Sequence, residues 1–132
     1  MILIKRKFDV YIPDGHKITK PEREAAWILA KHYRATVHFI RPSNEYMVKS
    51  ADFRINDREY ELKSPTSKNI HHIEKIIKLA SKQSSHIIID MRKTRITEDR
   101  MISLCENLIK NIKKLNKILL IVNKKKIIDF YK

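Results

Sequence analysis

A chain of 132 residues is long enough for one core and too short for two, and 42% hydrophobic against 33% charged residues describes a globular protein, not a disordered one. One glycine, Gly15, and four prolines leave no Gly-rich phosphate loop, which excludes Walker and Rossmann nucleotide sites and gives no reason to expect a small-molecule cofactor. Twenty-nine Lys and Arg against 15 Asp and Glu give a net charge of +14, a field that attracts nucleic acid, an anionic membrane surface or an acidic protein.

Residues 2–12 read as one or two short strands, closed by Pro13-Asp14-Gly15. Pro21 suits the first turn of a helix, with Glu22 and Glu24 beside it, and Ala25, Ala26, Ile28, Leu29 and Tyr33 continue it at spacings of three and four. Residues 36–40 are β-branched and aromatic, hence a strand, followed by a polar loop over 41–48. Residues 51–55 and 59–63 alternate apolar with polar around Asn56-Asp57-Arg58, a hairpin pattern that Ser64-Pro65 ends. Ile70, Ile73, Ile76, Ile77 and Ala80 mark the next helix, and 86–90 a buried strand. A helix over about 97–115 follows, and 118–122 with 126–131 closes the chain as a hairpin. The order predicts a single α/β domain with a mixed sheet: a core over about 20–92, and a basic extension over 93–132 made of an added helix and hairpin. Residues 92–132 hold twelve basic and four acidic side chains, and a lysine-rich solvated surface explains them as readily as a binding face does.

Cys105 is the one cysteine, which excludes an internal disulfide and a Cys-rich zinc site; its apolar helical surroundings predict a buried thiol. No apolar run approaches the ~18 residues needed to span a membrane. The opening Met1-Ile2-Leu3-Ile4-Lys5 is too soon charged for a signal peptide, so the chain as given is expected to be soluble.

The 51–63 hairpin is the informative segment. A turn at Asn56-Asp57 sets Asp52 across from Glu61; a turn at Asp57-Arg58 sets it across from Lys63. Either register groups Asp52, Glu61 and Lys63 on one face and Phe53, Ile55, Tyr60 and Leu62 on the other, because side chains alternate with period two. Two carboxylates beside an ammonium are what phosphodiester hydrolysis with Mg²⁺ or Mn²⁺ requires, and a helix-borne acid, Glu24, completes the set. The same three residues also suit an ion-pair ladder on an exposed face, and Glu-x-Lys is a short motif that chance supplies about once in such a chain.

Ser64, Thr66 and Ser67 are candidates for donating to a substrate phosphate, with a helix N-cap as the competing role for one of them. Arg92, Lys93 and Arg95 stand where they can grip a nucleic-acid backbone or form an ordinary basic loop. His71 and His72, adjacent on a helix, point about 100° apart and do not chelate one metal; exposure or phosphate contact is expected. Trp27 and Tyr33 are expected in the core.

The run Ser50-Ala51-Asp52-Phe53-Arg54-Ile55-Asn56-Asp57-Arg58-Glu59-Tyr60-Glu61-Leu62-Lys63-Ser64-Pro65 resembles the PD-(D/E)XK nuclease signature. More narrowly, it is similar to the C-terminal tRNA-nuclease toxin domain of contact-dependent growth inhibition proteins. Pro21-Glu22-Arg23-Glu24-Ala25-Ala26 matches the acid-bearing helix before that run, Gln83-Ser84 the end of the helix after it, and Ile87-Ile88-Ile89-Asp90 the strand beyond. The match runs from about residue 20 to 92, and it departs in Ala51, where the signature has proline, and in Asn56-Asp57, where the turn has glycine. The resemblance implies a restriction-endonuclease-like αβββαβ core. By carry-over Asp52 and Glu61 are metal ligands, Lys63 the catalytic lysine, Glu24 an auxiliary acid and Gln83 a helix-borne site residue. It implies Mg²⁺ or Mn²⁺ as cofactor, RNA and above all tRNA as substrate, and an acidic immunity protein as partner. It further implies action in the bacterial cytoplasm after delivery as the C-terminal part of a larger secreted or surface protein. Composition does not separate RNA from DNA, so a DNA endonuclease, a non-catalytic nucleic-acid-binding module and an interaction domain for an acidic protein stay open.

Overall fold

The computed structural model describes residues 8–40 and 52–132, with seven strands and three helices in a mixed α/β fold. The expectations for 2–7, for the 41–48 loop and for Ser50 and Ala51 lie outside the described residues. The chain divides into two compact units, Met1–Glu59 and Tyr60–Lys132, with the boundary near the start of one strand.

In the first unit, β1 (Val10–Tyr11) runs parallel to β2 (Val37–Phe39), and β2 runs antiparallel to β3 (Phe53–Ile55). The crossover from β1 to β2 is helix α1 (Lys20–Tyr33). Its start is encoded locally. The Thr19 hydroxyl accepts from the backbone N–H of Glu22, the Glu22 carboxylate accepts from that of Thr19, and Pro21 occupies a position where no N–H is needed. Arg34 ends it in the left-handed region at φ 50°. Ala25, Ala26, Ile28 and Leu29 are buried, as are Val37, Phe39, Phe53 and Ile55, and Phe39 meets Phe53 edge-on at 4.6 Å. Trp27 and Tyr33, expected in the core, are half-buried.

Two residues, Asn56 and Asp57, connect β3 to β4 (Arg58–Lys63). Their φ angles of 49° and 65° are the pair that a type I′ turn requires. Asn and Asp tolerate that region better than other non-glycine residues, so the turn forms without the glycine its geometry favours.

The second unit is a β4-β5-β6-β7 sheet, with β5 at His86–Asp90, β6 at Lys117–Asn123 and β7 at Lys126–Tyr131. β4, β5 and β6 are parallel, joined by helices α2 (Ile70–Ser81) and α3 (Glu98–Asn111), and β7 returns antiparallel to β6. Residues 93–132 are therefore not an addition to a finished core. Ile118–Ile121 pair along β5 and are fully buried, and α3 supplies Met101, Leu104, Cys105 and Leu108 to the same cluster as Ile73, Ile77, Ile87 and Ile89. Each fully buried isoleucine contributes roughly 1.5–3 kcal/mol. The third helix stops at Asn111, short of 115, because Ile112 turns into the extended region and Leu115 enters the core ahead of β6.

Candidate active site

Strand β4 alternates as its sequence demands: Tyr60 is buried, and Glu61 and Lys63 share the opposite face. Glu61 lies level with Ile87 of β5 and Lys63 with Ile89, so both project to the side on which Ile87 and Ile89 meet α2. The Glu61 side chain is only 14% exposed and Lys63 37%, and the Lys63 ammonium sits 3.4 Å from Glu61 Oε1. A carboxylate withdrawn from most of its water is stabilised by a cation beside it, here the Lys63 ammonium. An ammonium has three donors, so the pairing leaves Lys63 able to reach a phosphoryl oxygen.

Asp52 and Glu24 belong to the first unit. Asp52 is half-buried just before β3, where its carbonyl accepts from the Ile40 N–H at 3.0 Å. Glu24 is half-buried in the second turn of α1. Among the described residues no three His, Cys, Asp or Glu side chains form a metal cluster.

Gln83 is not borne on a helix. α2 ends at Ser81 with Lys82 as its cap, and Gln83 is exposed in the turn before β5, whereas Lys63 is level with Ile89 near the other end of that strand. Ser64 and Thr66 are exposed beyond Lys63. The cap of α2 is Asn69, whose Oδ1 accepts from the His71 N–H at 2.9 Å, so none of Ser64, Thr66 and Ser67 fills that role. The Ser67 hydroxyl instead accepts from the Asn69 N–H. His71 and His72 are exposed on the first turn of α2.

Arg92 has a different job from Lys93 and Arg95. Its Nε and guanidinium nitrogen donate to the two oxygens of Asp90 at 2.9 and 2.8 Å, and its backbone N–H donates to Oδ1 at 3.1 Å. Asp90 is 1% exposed, so this fork is how a carboxylate at the end of a buried strand is neutralised. The signal was present in the sequence as one acid closing a run of isoleucines, with arginine two residues on. Lys93 and Arg95 are exposed. A groove of about 720 Å³ between α3 and β7, lined by Ser103, Glu106, Asn107, Lys110, Asp129 and Tyr131, is three strands from β4 and holds none of the candidate residues.

With that geometry in hand, the family model described as the contact-dependent growth inhibition CdiA C-terminal domain matches residues 49–127. No curated protein matches the chain. Among solved structures it is similar to the CdiA-CT/CdiI toxin and immunity complex from Burkholderia pseudomallei, with a TM-score of 0.66 and 19% identity over 94% of this chain and 99% of that one. At that identity the likeness carries the fold.

Proposed function

Since the chain belongs to the contact-dependent growth inhibition CdiA C-terminal domain family, we propose that it is a toxin domain acting as a metal-dependent endonuclease on RNA, above all tRNA. The observation that carries the reading is the Glu61–Lys63 pair, held at 3.4 Å on one face of β4. The order α1-β2-β3-β4-α2-β5 agrees with the αβββαβ core of PD-(D/E)XK nucleases and supports placing the site there. Asp52 joins Glu61 by the alternation of the sequence about the Asn56-Asp57 turn.

Mg²⁺ or Mn²⁺ takes one or two carboxylates and fills its remaining positions with waters and phosphate oxygens, which suits Glu61 and Asp52 as the donor set. When bound, the ion supplies a water of lowered pKa and offsets charge on the phosphoryl oxygens. Lys63, fixed by Glu61, orients the attacking water or pairs with a non-bridging oxygen. Glu24 is the auxiliary acid, and Ser64, Thr66, Lys93 and Arg95 contact the substrate chain. Gln83 meets a substrate that extends to the other end of β5.

The similar solved structure is a toxin bound to an immunity protein. We carry that over as a partner of this chain, acidic on its binding face, since +14 steers an anion to it. No helix among the described residues is long and apolar enough to cross a membrane. The family supports delivery as part of a larger secreted protein, and the nuclease reading adds action in the cytoplasm of the target bacterium.

Incubating the protein with total cellular RNA, and separately with DNA, tests the reading. New RNA ends should appear with Mg²⁺ or Mn²⁺ and vanish in EDTA, and Ca²⁺ should bind without turnover. Cleavage of DNA alone makes it a DNA endonuclease. Full activity in chelator moves the chemistry to metal-independent groups such as His71 and His72, and no cleavage of either leaves a binding module.

A further inference from the structure

The parallel strands of the second unit finish together at one edge of their sheet. Lys63, Asp90 and Asn123 close β4, β5 and β6, and the pairings Lys63 with Ile89 and Asp90 with Ile121 keep those ends level. The connections leaving that edge carry Lys68, Lys93, Arg95, Lys124 and Lys125, all exposed, and none of these side chains makes an ion pair among the described residues. Two of the acids there are already engaged, Asp90 by Arg92 and Glu98 by Lys126 at 2.7 Å, leaving Asp99 exposed. The connections after β4 and β5 are also tied together, since the Thr94 hydroxyl donates to the Ser67 carbonyl at 2.7 Å and accepts from the Ile96 N–H. Pairing takes cations at the opposite edge as well. There Lys117 faces Asp129 at 4.0 Å, and Lys132 donates to the carbonyls of Ile112 and Lys113.

We propose that this edge is the track for the RNA backbone, leading it from Lys63 across the loops after β4 and β5 to the β6–β7 turn, where Lys124 and Lys125 hold phosphates. The inference rests on the nuclease reading and names where its substrate lies. From β4 to β7 is three strand spacings, about 14 Å at ~4.8 Å each, enough to grip several phosphates of one strand. The contacts are point charges on a tied-down scaffold, which position a backbone without reading its bases. Continuity with Lys63 favours RNA over an acidic protein as the occupant.

The test uses the Glu61→Gln protein, so that RNA is bound and not cut, and follows a fluorescent tRNA by anisotropy over a range of salt. Replacing Lys124 and Lys125 together by alanine should weaken binding roughly tenfold near 0.1 M salt and lower the salt slope by about 1.4–1.8, the share of two phosphate contacts. The pair Lys93→Ala and Arg95→Ala should act alike. Lys113→Ala with Lys114→Ala removes the same charge from the other edge and should leave the slope unchanged. Equal weakening by that control pair, or an unchanged slope in the Lys124 and Lys125 variant, overturns the track. Cleavage by the parent with an unchanged slope strikes the track alone, while the expected slopes in a protein that never cuts RNA keep the track and strike the nuclease reading.

Discussion

Removing the Arg92 guanidinium should destabilise the second unit more than any other single change at its surface loops. Asp90 is fully buried, and every side-chain hydrogen bond it accepts comes from Arg92: two from the guanidinium and one from the backbone N–H. Arg92→Ala leaves a buried carboxylate with one backbone donor. Stranding a buried charge in this way costs about 3–5 kcal/mol, a large part of the ~5–15 kcal/mol that holds a typical domain. At this size each kcal/mol moves Tm by roughly 3–5 °C, so the melt should fall by about 10–20 °C. Arg92→Lys keeps the charge but not the two-pronged geometry and should fall between. The decisive comparison is Asp90→Asn combined with Arg92→Ala. With no charge left to strand, the double variant should be more stable than Arg92→Ala alone. Urea unfolding of these proteins on a Lys63→Ala background, read at the midpoint with the slope checked for constancy, measures all three. A loss under ~1 kcal/mol for Arg92→Ala, or a double variant less stable than that single one, refutes the argument.

Lys63→Ala and Glu61→Gln should each lower RNA cleavage by ~10²-fold or more with little change in the melt, and their combination should cost scarcely more than either, because groups acting as a unit are not additive; an active Lys63→Ala protein removes the site from β4. Expression of the chain in bacteria should arrest growth, the Lys63→Ala form should not, and co-expression of an acidic protein from the neighbouring reading frame should restore growth through a complex that weakens as salt is raised. Harmless expression of a folded, active domain would refute the toxin reading. Burial first, and Glu106 second, push the Cys105 thiol up to about 12. An unfolded thiol ionises near about 8.5, so the folded state binds the extra proton and stability should fall as pH rises from there towards 12. Cys105→Ala should lose that part of the fall, and rapid native labelling of Cys105 by a thiol reagent at pH 8 would show that it is not buried.

The elements that the sequence discloses best are those where one residue type does one job. Ile70, Ile73, Ile77 and Ala80 can form a stripe only on a helix, and Tyr60, Glu61, Leu62 and Lys63 sort into two faces only on a strand. Partners are harder. Alternation says that Asp90 sits at the end of a buried strand but not that Arg92 turns back to it, so Arg92 read as a grip for nucleic acid. The 118–122 run read as half of an appended hairpin because its neighbour in sequence is β7; its unbroken apolar character is the mark of a strand buried on both faces, paired to β5 as well. Gln83 lies off the helix because α2 stops at Ser81, with no glycine in the sequence to mark that end. The candidate site divides in the same way. Glu61 and Lys63 come together as their spacing in β4 requires, while the roles of Asp52 and Glu24 depend on partners that spacing alone does not name.

The burial of β6 also has a consequence before the fold exists. Ile118-Leu119-Leu120-Ile121-Val122 is β-prone, uncharged and free of proline, the kind of segment that adds to its own copies when a chain lies open. Lys113, Lys114 and Lys117 precede it, and Lys124, Lys125 and Lys126 follow. Charges set on both sides of such a stretch make stacking of one chain on another repulsive while leaving the intramolecular sheet free to close. Part of the +14 therefore acts as a guard against aggregation. Neutralising those lysines would lower the yield of soluble refolded protein without altering the native sheet.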